Sequence, residues 1–440
     1  MKRAIAALLS VVVGVGMLGG CAKNTPSSSS SNTAGTASQP SSSSSAGRVT
    51  LRTVSMFGGT DPSAAVYNQN IVKFESENNV TVKDASATSD QTWKAQVVND
   101  FNSGSEADVT FFFTGSDAST IVSSGQVVDL ATIQAAYPDY AKNIKSSVMD
   151  QIKASDGKAY AVPVRGYWEG IFCNKDMFDK YQLQLPTTWD NLTKAVTTFH
   201  SKGVIPFAAS LADVPHYFIE HFILAEGGVK DHSVNPGTDM SKVPASWTTG
   251  LGLFKTFADM GAFPSNYASS KDAEIQQLFI NKKAAMRVDG SWFAGSVTDA
   301  ANTTVVPFPA APGSSKDPSD IISGFSSGFY ISKKAWDDPA KRDAAVKFIM
   351  LMTSNDSIKA FVDAAGGSPA SEVTPDSSLS ALAKAGIQMA SDAKSVDAAT
   401  DSRLSQACYT SLVNNMASVA AGKMTAADAL KTAIALNTSN

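Results

Sequence analysis

The sequence predicts an α/β protein with mostly parallel sheets, room for two domains or more, and a helical C-terminal region. Three observations carry this reading. Between Val49 and Asp117, apolar and amphipathic segments follow one another as strand, helix, strand, helix, strand, the alternation of a mostly parallel sheet. The chain has 440 residues, 43% of them hydrophobic, which is enough for more than one core. From Asp338 to Leu436 it is rich in Ala at amphipathic spacing and reads as helix nearly throughout.

Ahead of the globular pattern, Lys2 and Arg3 form a positive segment. Ala4 to Gly16 is apolar but too short for a convincing membrane span, and Leu18-Gly19-Gly20-Cys21 brings small residues up to a cysteine. This run resembles a bacterial lipobox. The resemblance implies a signal peptide over 1–20, diacylation of Cys21, and a chain anchored by lipid to the outer face of the cytoplasmic membrane. The alternative is a cleaved secretory signal with an incidental cysteine. Ser27 to Ser45 reads SSSSSNTAGTASQPSSSSS, so 21–47 is expected to be a flexible tether, too poor in apolar residues to offset its own ordering entropy. The remaining cysteines, Cys173 and Cys408, imply no disulfide framework. A net charge of −4 argues against a nucleic-acid partner, which would demand a basic face.

Taken in order, Val49 to Val54 alternates as a strand and runs into a glycine-rich turn, Ser55 to Pro62. A helix follows over Ser63 to Asn78, then a strand at Val80 to Asp84, a helix at Thr92 to Ser103, and an apolar strand Val109 to Phe113 ending in Thr114-Gly115-Ser116-Asp117. Ligands lie beyond the carboxyl ends of such strands, so Phe57 to Asp61 and Phe113 to Asp117 belong on one rim. In GKAYAVPVRGYWEGIFCNKDMF, Gly157 to Phe178, a strand over Ala159 to Val164 meets Pro163, where ladder pairing must stop. Arg165, Gly166, Tyr167, Trp168 and Glu169 then form a hinge-length segment offering two ring faces, a cation and an anion, before a second apolar run to Asn174. The competing reading of that segment is a loop whose aromatics pack on the core.

Further on, Pro186-Thr187-Thr188-Trp189-Asp190 starts a helix that runs to Phe199, and a helix over Tyr217 to Ala225 is stopped by Gly227-Gly228. Phe279 to Val288 is strand-like toward its end and leads into Asp289-Gly290-Ser291-Trp292. Thr304 to Phe308 is a returning strand, and a Pro and Gly loop extends to Asp320. Gly324-Phe325-Ser326-Ser327-Gly328 then opens a short strand to Ser332. No internal repeat is present.

Two motifs promise chemistry and do not deliver it. Gly324 to Gly328 fits the G-x-S-x-G nucleophile elbow, but His200, His216, His221 and His232 all precede Ser326, against the triad order Ser, acid, His. Glycines that let backbone approach a ligand, with Phe325 among them, explain the stretch better. His216 and His221 look like a zinc helix, yet residues five apart lie about 140° apart around a helix and do not face one ion.

The order of GKAYAVP, Asn174-Lys175-Asp176-Met177-Phe178, Pro186 to Asp190, Lys283-Ala284-Ala285-Met286 with Asp289-Gly290-Ser291-Trp292, and Ala420 to Leu430 resembles the family 1 extracellular solute-binding proteins of bacterial ABC importers, the group that includes maltose-binding protein. One departure is Cys173, where the family usually has Tyr. The resemblance implies a two-lobed, type II periplasmic-binding-protein-like α/β fold, with lobes of 48–166 plus 308–332 and 167–307 plus 333–440. Crossovers would lie near Arg165 to Gly170, Val306 to Ala310 and Ile331 to Lys334, and the lobes would close by hinge bending. It carries ligand-binding positions onto Tyr167, Trp168, Glu169, Tyr217, Trp292 and Tyr409, with Phe57, Asp61, Phe112 and Asp117 from the opposing lobe. Aromatic planes and carboxylates suit a sugar, whose C–H faces pack on rings while its hydroxyls hydrogen-bond. The expected partners are a carbohydrate and the permease subunits of an importer; the chain would act as a monomer, with no metal, no cofactor and no catalysis. The alternatives are the same fold binding a polyol, a sugar phosphate or a peptide, which a basic cleft would favour, and a surface glycoside hydrolase using Glu169 with Asp289. Arg165 and Lys94 read as solvated surface charges.

Overall fold

The computed structural model describes residues 48–377 and 379–438; the signal segment, the tether and Cys21 lie outside the described residues. The strands are β1 (Val49–Val54), β2 (Val80–Asp84), β3 (Val109–Phe113), β4 (Tyr167–Asn174), β5 (Ile205–Phe207), β6 (Ala284–Gly290), β7 (Thr303–Val306), β8 (Ile321–Gly324), β9 (Ser327–Ile331) and β10 (Val396–Asp397). They form two sheets, one ordered β2-β1-β3-β9 and one ordered β10-β8-β4-β6-β5 with β7 beside β4.

Each sheet contains one strand that runs against all the others. In the first, β1 is parallel to β2 and β3, and β9 is antiparallel to β3. In the second, β4 is antiparallel to β6, β7 and β8, while β5 and β10 run with their neighbours. The expectation of mostly parallel sheets therefore holds in strand direction, with β9 in the first lobe and β4 in the second as the exceptions. The reason is topological. β4 and β9 are the strands on which the chain enters a lobe from the other one, so no right-handed helical crossover sets their direction.

The first sheet is covered by helix Ala64–Glu77 and by helices Pro339–Met352 and Asn355–Ala365, whose Ala345, Phe348, Ile349 and Phe361 share a core with Leu51, Phe111 and Phe329. Residues 333–371 thus pack on the first lobe, although the sequence reading assigned them to the second. Conversely β8, Phe308 and Ala311 pack with the second lobe rather than the first. An amphipathic pattern states that a helix has an apolar face, not which sheet it covers. Helix Pro339–Met352 starts sharply, with Pro339 in its first turn and the Asp338 side chain accepting from the N–H groups of Ala340 and Lys341. The second lobe carries the larger core, where Phe199, Phe222, Trp247, Phe254 and Leu412 enclose one face of its sheet.

The crossovers also lie elsewhere than expected. One is Arg165-Gly166, the start of the expected Arg165 to Gly170, whose remainder belongs to β4; the others are Phe325-Ser326 between β8 and β9, and the segment from Gly366 to Ser377. Two of them are bound to one another, Gly166 N–H donating to Ser368 O at 2.7 Å, and the other is bound to the end of β3, Thr114 N–H donating to Ser326 O at 2.8 Å. The Ala159 to Val164 strand reduces to a single bridge between Val162 and Phe329, since Pro163 has no N–H to extend the ladder. The helix that starts at His216 is interrupted at Gly227-Gly228, as expected: Gly228 has a non-helical backbone (φ 64°, ψ −177°), and a further helical segment continues to His232.

Candidate functional site

The expected hinge loop is the beginning of β4. Side chains alternate across a strand, so Tyr167 and Glu169 point to one face of the second sheet and Trp168 to the other. Trp168 is fully buried against Phe172, 5.9 Å between ring centres, with helix Ala381–Asp392 so close that a Cβ on Gly386 would lie 2.0 Å from its ring. On the opposite face, the register that pairs Glu169 with Gly290 brings Trp292 alongside. Its ring folds back over Gly290, where a Cβ would come within 2.3 Å of it, which accounts for the glycine in Asp289-Gly290-Ser291-Trp292.

A row of rings results. Trp292 stands 6.1 Å from Tyr167 and 6.2 Å from Tyr217; Tyr217 lies 4.1 Å from His216, which is 6.3 Å from Tyr409. Trp292, Tyr217 and His216 remain half-buried, whereas Tyr409 is buried. The row is contributed by β4, the turn after β6, the start of helix His216–His232, and helix Gln406–Ala420.

Beside it lies a group of carboxyls. Glu169 and Glu220 are 2% and 1% exposed, and their carboxyls are hydrogen-bonded to each other. Burial raises the Glu169 pKa well above its ordinary value, reinforced by Glu220, Asp401 and Asp289; burial and then Asp401 do the same for Glu220. From the first lobe come Lys94 and Asp117, 2.7 Å apart, and Asp401 approaches the same ammonium at 3.4 Å. Burial alone would lower the Lys94 pKa, but Asp401 and Asp117 raise it; burial outweighs Lys94 at Asp117, whose pKa is pushed up to about 6. The Lys94 ammonium also sits 3.9 Å from the Phe113 ring centre. Lys94 is thus a buried, doubly paired cation rather than a solvated surface charge. Burial lowers His216 to about 4 and His221 to about 3, so both are neutral; His221 shares Nδ1 with the Tyr217 carbonyl at 2.8 Å.

The expected residues divide cleanly. Tyr167, Glu169, Tyr217, Trp292, Tyr409 and Asp117 converge. Trp168 belongs to the core beneath them. Phe57 is also core, enclosed by Tyr67, Phe111 and Phe361, and Phe112 packs on Trp93 on the other face of β3. Asp61 accepts from Ser63 N–H at 2.7 Å and acts on Arg165, whose Nε has no partner. Phe325 sits in the second crossover, against Gly166. Glu220, Asp401, His216 and Lys94 were missed. A glutamate within the apolar run Phe218 to Ala225 is a signal for the first; Asp401 has no local signal.

Two chemistries find no support in this arrangement. Asp289 is engaged by Arg287 Nε at 2.6 Å and by Gly290 N–H at 2.7 Å, so it is not a free partner for Glu169 across a scissile bond. Among the described residues, no group of three or more His, Cys, Asp or Glu is placed to hold a metal ion.

Comparison with known proteins agrees with this architecture. A family described as bacterial extracellular solute-binding protein matches residues 69–391, well over half of the chain. The multiple sugar-binding protein of Streptococcus mutans is 27% identical over 163 residues, a match covering 35% of this chain and 38% of that protein. A chitin oligosaccharide binding protein superposes with a TM-score of 0.78 at 22% identity, over 88% of this chain and 98% of the other. A structure described with xylan utilization by Caldanaerobius polysaccharolyticus superposes with a TM-score of 0.76 at 22% identity, over 88% and 99%. These likenesses carry the fold, and the family match carries the membership: the chain belongs to the bacterial extracellular solute-binding proteins.

Proposed function

We propose that this chain captures a carbohydrate, an oligosaccharide by the length of its aromatic row, between its two lobes and delivers it to the permease subunits of an ABC importer. The observation that carries the reading is the row Tyr167, Trp292, Tyr217 on the second lobe, with Glu169, Glu220 and Asp401 beside it. Ring faces pack on the C–H patches of a pyranose, and carboxyls bind its hydroxyls. The name of the Streptococcus mutans relative points the same way. Lobe closure would bend the chain at Arg165-Gly166, Phe325-Ser326 and 366–377. Lipidation of Cys21 would hold the protein at the outer face of the membrane, and no helix among the described residues is long and apolar enough to cross one. Binding without turnover fits the engaged state of Asp289.

Calorimetry over a panel of mono- and oligosaccharides tests the proposal. Saturable binding by at least one sugar supports it; no heat from any, with the chain folded by circular dichroism, removes the sugar claim. A sugar phosphate is disfavoured because the cleft holds an excess of carboxyls over cations.

A further inference from the structure

We propose that the loop from Asp397 to Arg403 is a clasp that holds the two lobes closed, with Asp401 as the group that grips the first lobe. The inference rests on the lobe closure proposed above and on no property of the ligand.

The loop is built to be stiff and fixed to the second lobe. Arg403 donates from Nη1 to Asp397 Oδ2 at 2.8 Å and from Nη2 to Asp397 Oδ1 at 2.5 Å, so a forked ion pair joins its first residue to its last. His232 Nδ1 meets the same carboxyl at 2.6 Å, and the His232 carbonyl accepts from Arg403 Nη1 at 3.0 Å. The short strand that leads into the loop, β10, pairs with β8 of the second sheet.

From that base the loop touches both lobes. On one side Ala399 N–H donates to the Tyr167 hydroxyl at 2.8 Å, and Thr400 Oγ1 donates to Glu220 Oε1 at 3.4 Å, which ties it to the ring row. On the other side it meets the first lobe. Asp401 Oδ2 lies 3.4 Å from Lys94 Nζ, and Ser116 Oγ donates to the Asp401 carbonyl. The Ser402 carbonyl comes so near Gly115 that a Cβ there would sit 2.5 Å from it.

These contacts are not equivalent when the lobes part. Lys94 and Asp117, 2.7 Å apart, both belong to the first lobe and stay paired in any arrangement. Asp401 alone gains its cation by closure, so the pair adds to the closed state and nothing to the open one. The side chains of Lys94 and Asp401 are 10% and 20% exposed, which leaves the attraction open to screening by salt.

The test reads lobe position with no ligand added. Spin labels are placed on the full chain at Ala95→Cys and Asn414→Cys, exposed positions of helices Gln91–Ser103 and Gln406–Ala420, one on each lobe, in a Cys21→Ser background; Cys173 and Cys408 are buried. Pulsed dipolar spectroscopy should show a closed population in the chain with Asp401. Asp401→Asn should lower the ratio of closed to open about threefold, and Asp401→Lys, which sets two ammoniums together, about tenfold or more. Raising sodium chloride from about 10 mM to about 1 M should lower the ratio in the chain with Asp401 and leave Asp401→Asn unchanged, a response that a merely structural role would not give. A chain with Asp401 that is wholly open, or the same ratio in all three chains, overturns the clasp. Neither result touches the sugar reading, which calorimetry decides separately. Should the variants fail to fold by circular dichroism, the salt titration of the chain with Asp401 decides alone.

Discussion

Lys94 and Asp401 lie 307 positions apart in the chain, on opposite lobes, and their charged groups meet at 3.4 Å. Asp117, on the Lys94 side, shares the ammonium at 2.7 Å, and Ser116 Oγ donates to the Asp401 carbonyl. A side-chain contact between Gln91 and Gln406 at 3.1 Å extends the junction. Lys94→Met leaves Asp117 buried without a cation, a loss expected to cost on the order of 3 kcal/mol in urea unfolding. Asp401→Asn should cost less, because its side chain is 20% exposed and Lys94 keeps Asp117. Equal losses from the two would refute the assigned asymmetry.

Trp168 and Trp292 lie near each other in the fold and differ in kind. Trp168→Ala opens a cavity in a closed core and should destabilise by about 3–5 kcal/mol. Trp292→Ala, at a half-buried ring, should cost less stability and weaken ligand binding by about 1–3 kcal/mol. Melting curves and calorimetry on both variants separate the roles; unchanged affinity in Trp292→Ala would demote that ring to packing.

Glu220 makes stability depend on pH in a defined direction. Its pKa is raised in the folded state above the ordinary 4.5, by burial and then by Asp401. The folded chain therefore holds a proton that the unfolded chain releases. The group's contribution is complete below pH 4.5 and is lost as pH rises through the folded value. Glu220→Gln removes that loss. Its melting temperature should match that of the unaltered chain at pH 4 and exceed it at pH 8. A constant offset at both pH values would contradict the argument.

Gly367 adopts φ +92°, and a Cβ there would sit 2.1 Å from the Gly166 carbonyl, where two crossovers touch. Gly367→Ala should therefore cost about 2 kcal/mol or more, from backbone strain and collision together. Gly252, inside helix Ala245–Asp259 with open space around its Cα, is the control. There Ala should add about 0.5–1 kcal/mol through helix propensity. Thermal unfolding of the two variants checks both signs.

The strands and helices were legible wherever a local period marked them. β1, β2 and β3 stand where the alternation placed them, and the Trp189–Ser201 helix begins at its Thr188 cap, whose side chain accepts from Asn191 N–H. Trp292 was legible from the motif it closes. Phe57 and Phe112 were misread because a rim position names the end of a strand and not the direction of a ring. Both lie in or beside the first sheet, whose two faces are each covered by other elements.

By itself, the sequence determined the α/β alternation, the family, the turn that carries Trp292, and the crossover that begins at Arg165. Only the tertiary structure decided that Tyr167 and Glu169 share a face while Trp168 is buried behind them, because that depends on which side of β4 each helix covers. It alone brought Glu220, Asp401, Asp117 and Lys94 around one point. Residues that far apart in the chain have no common local pattern, and their meeting is a consequence of two lobes packing together.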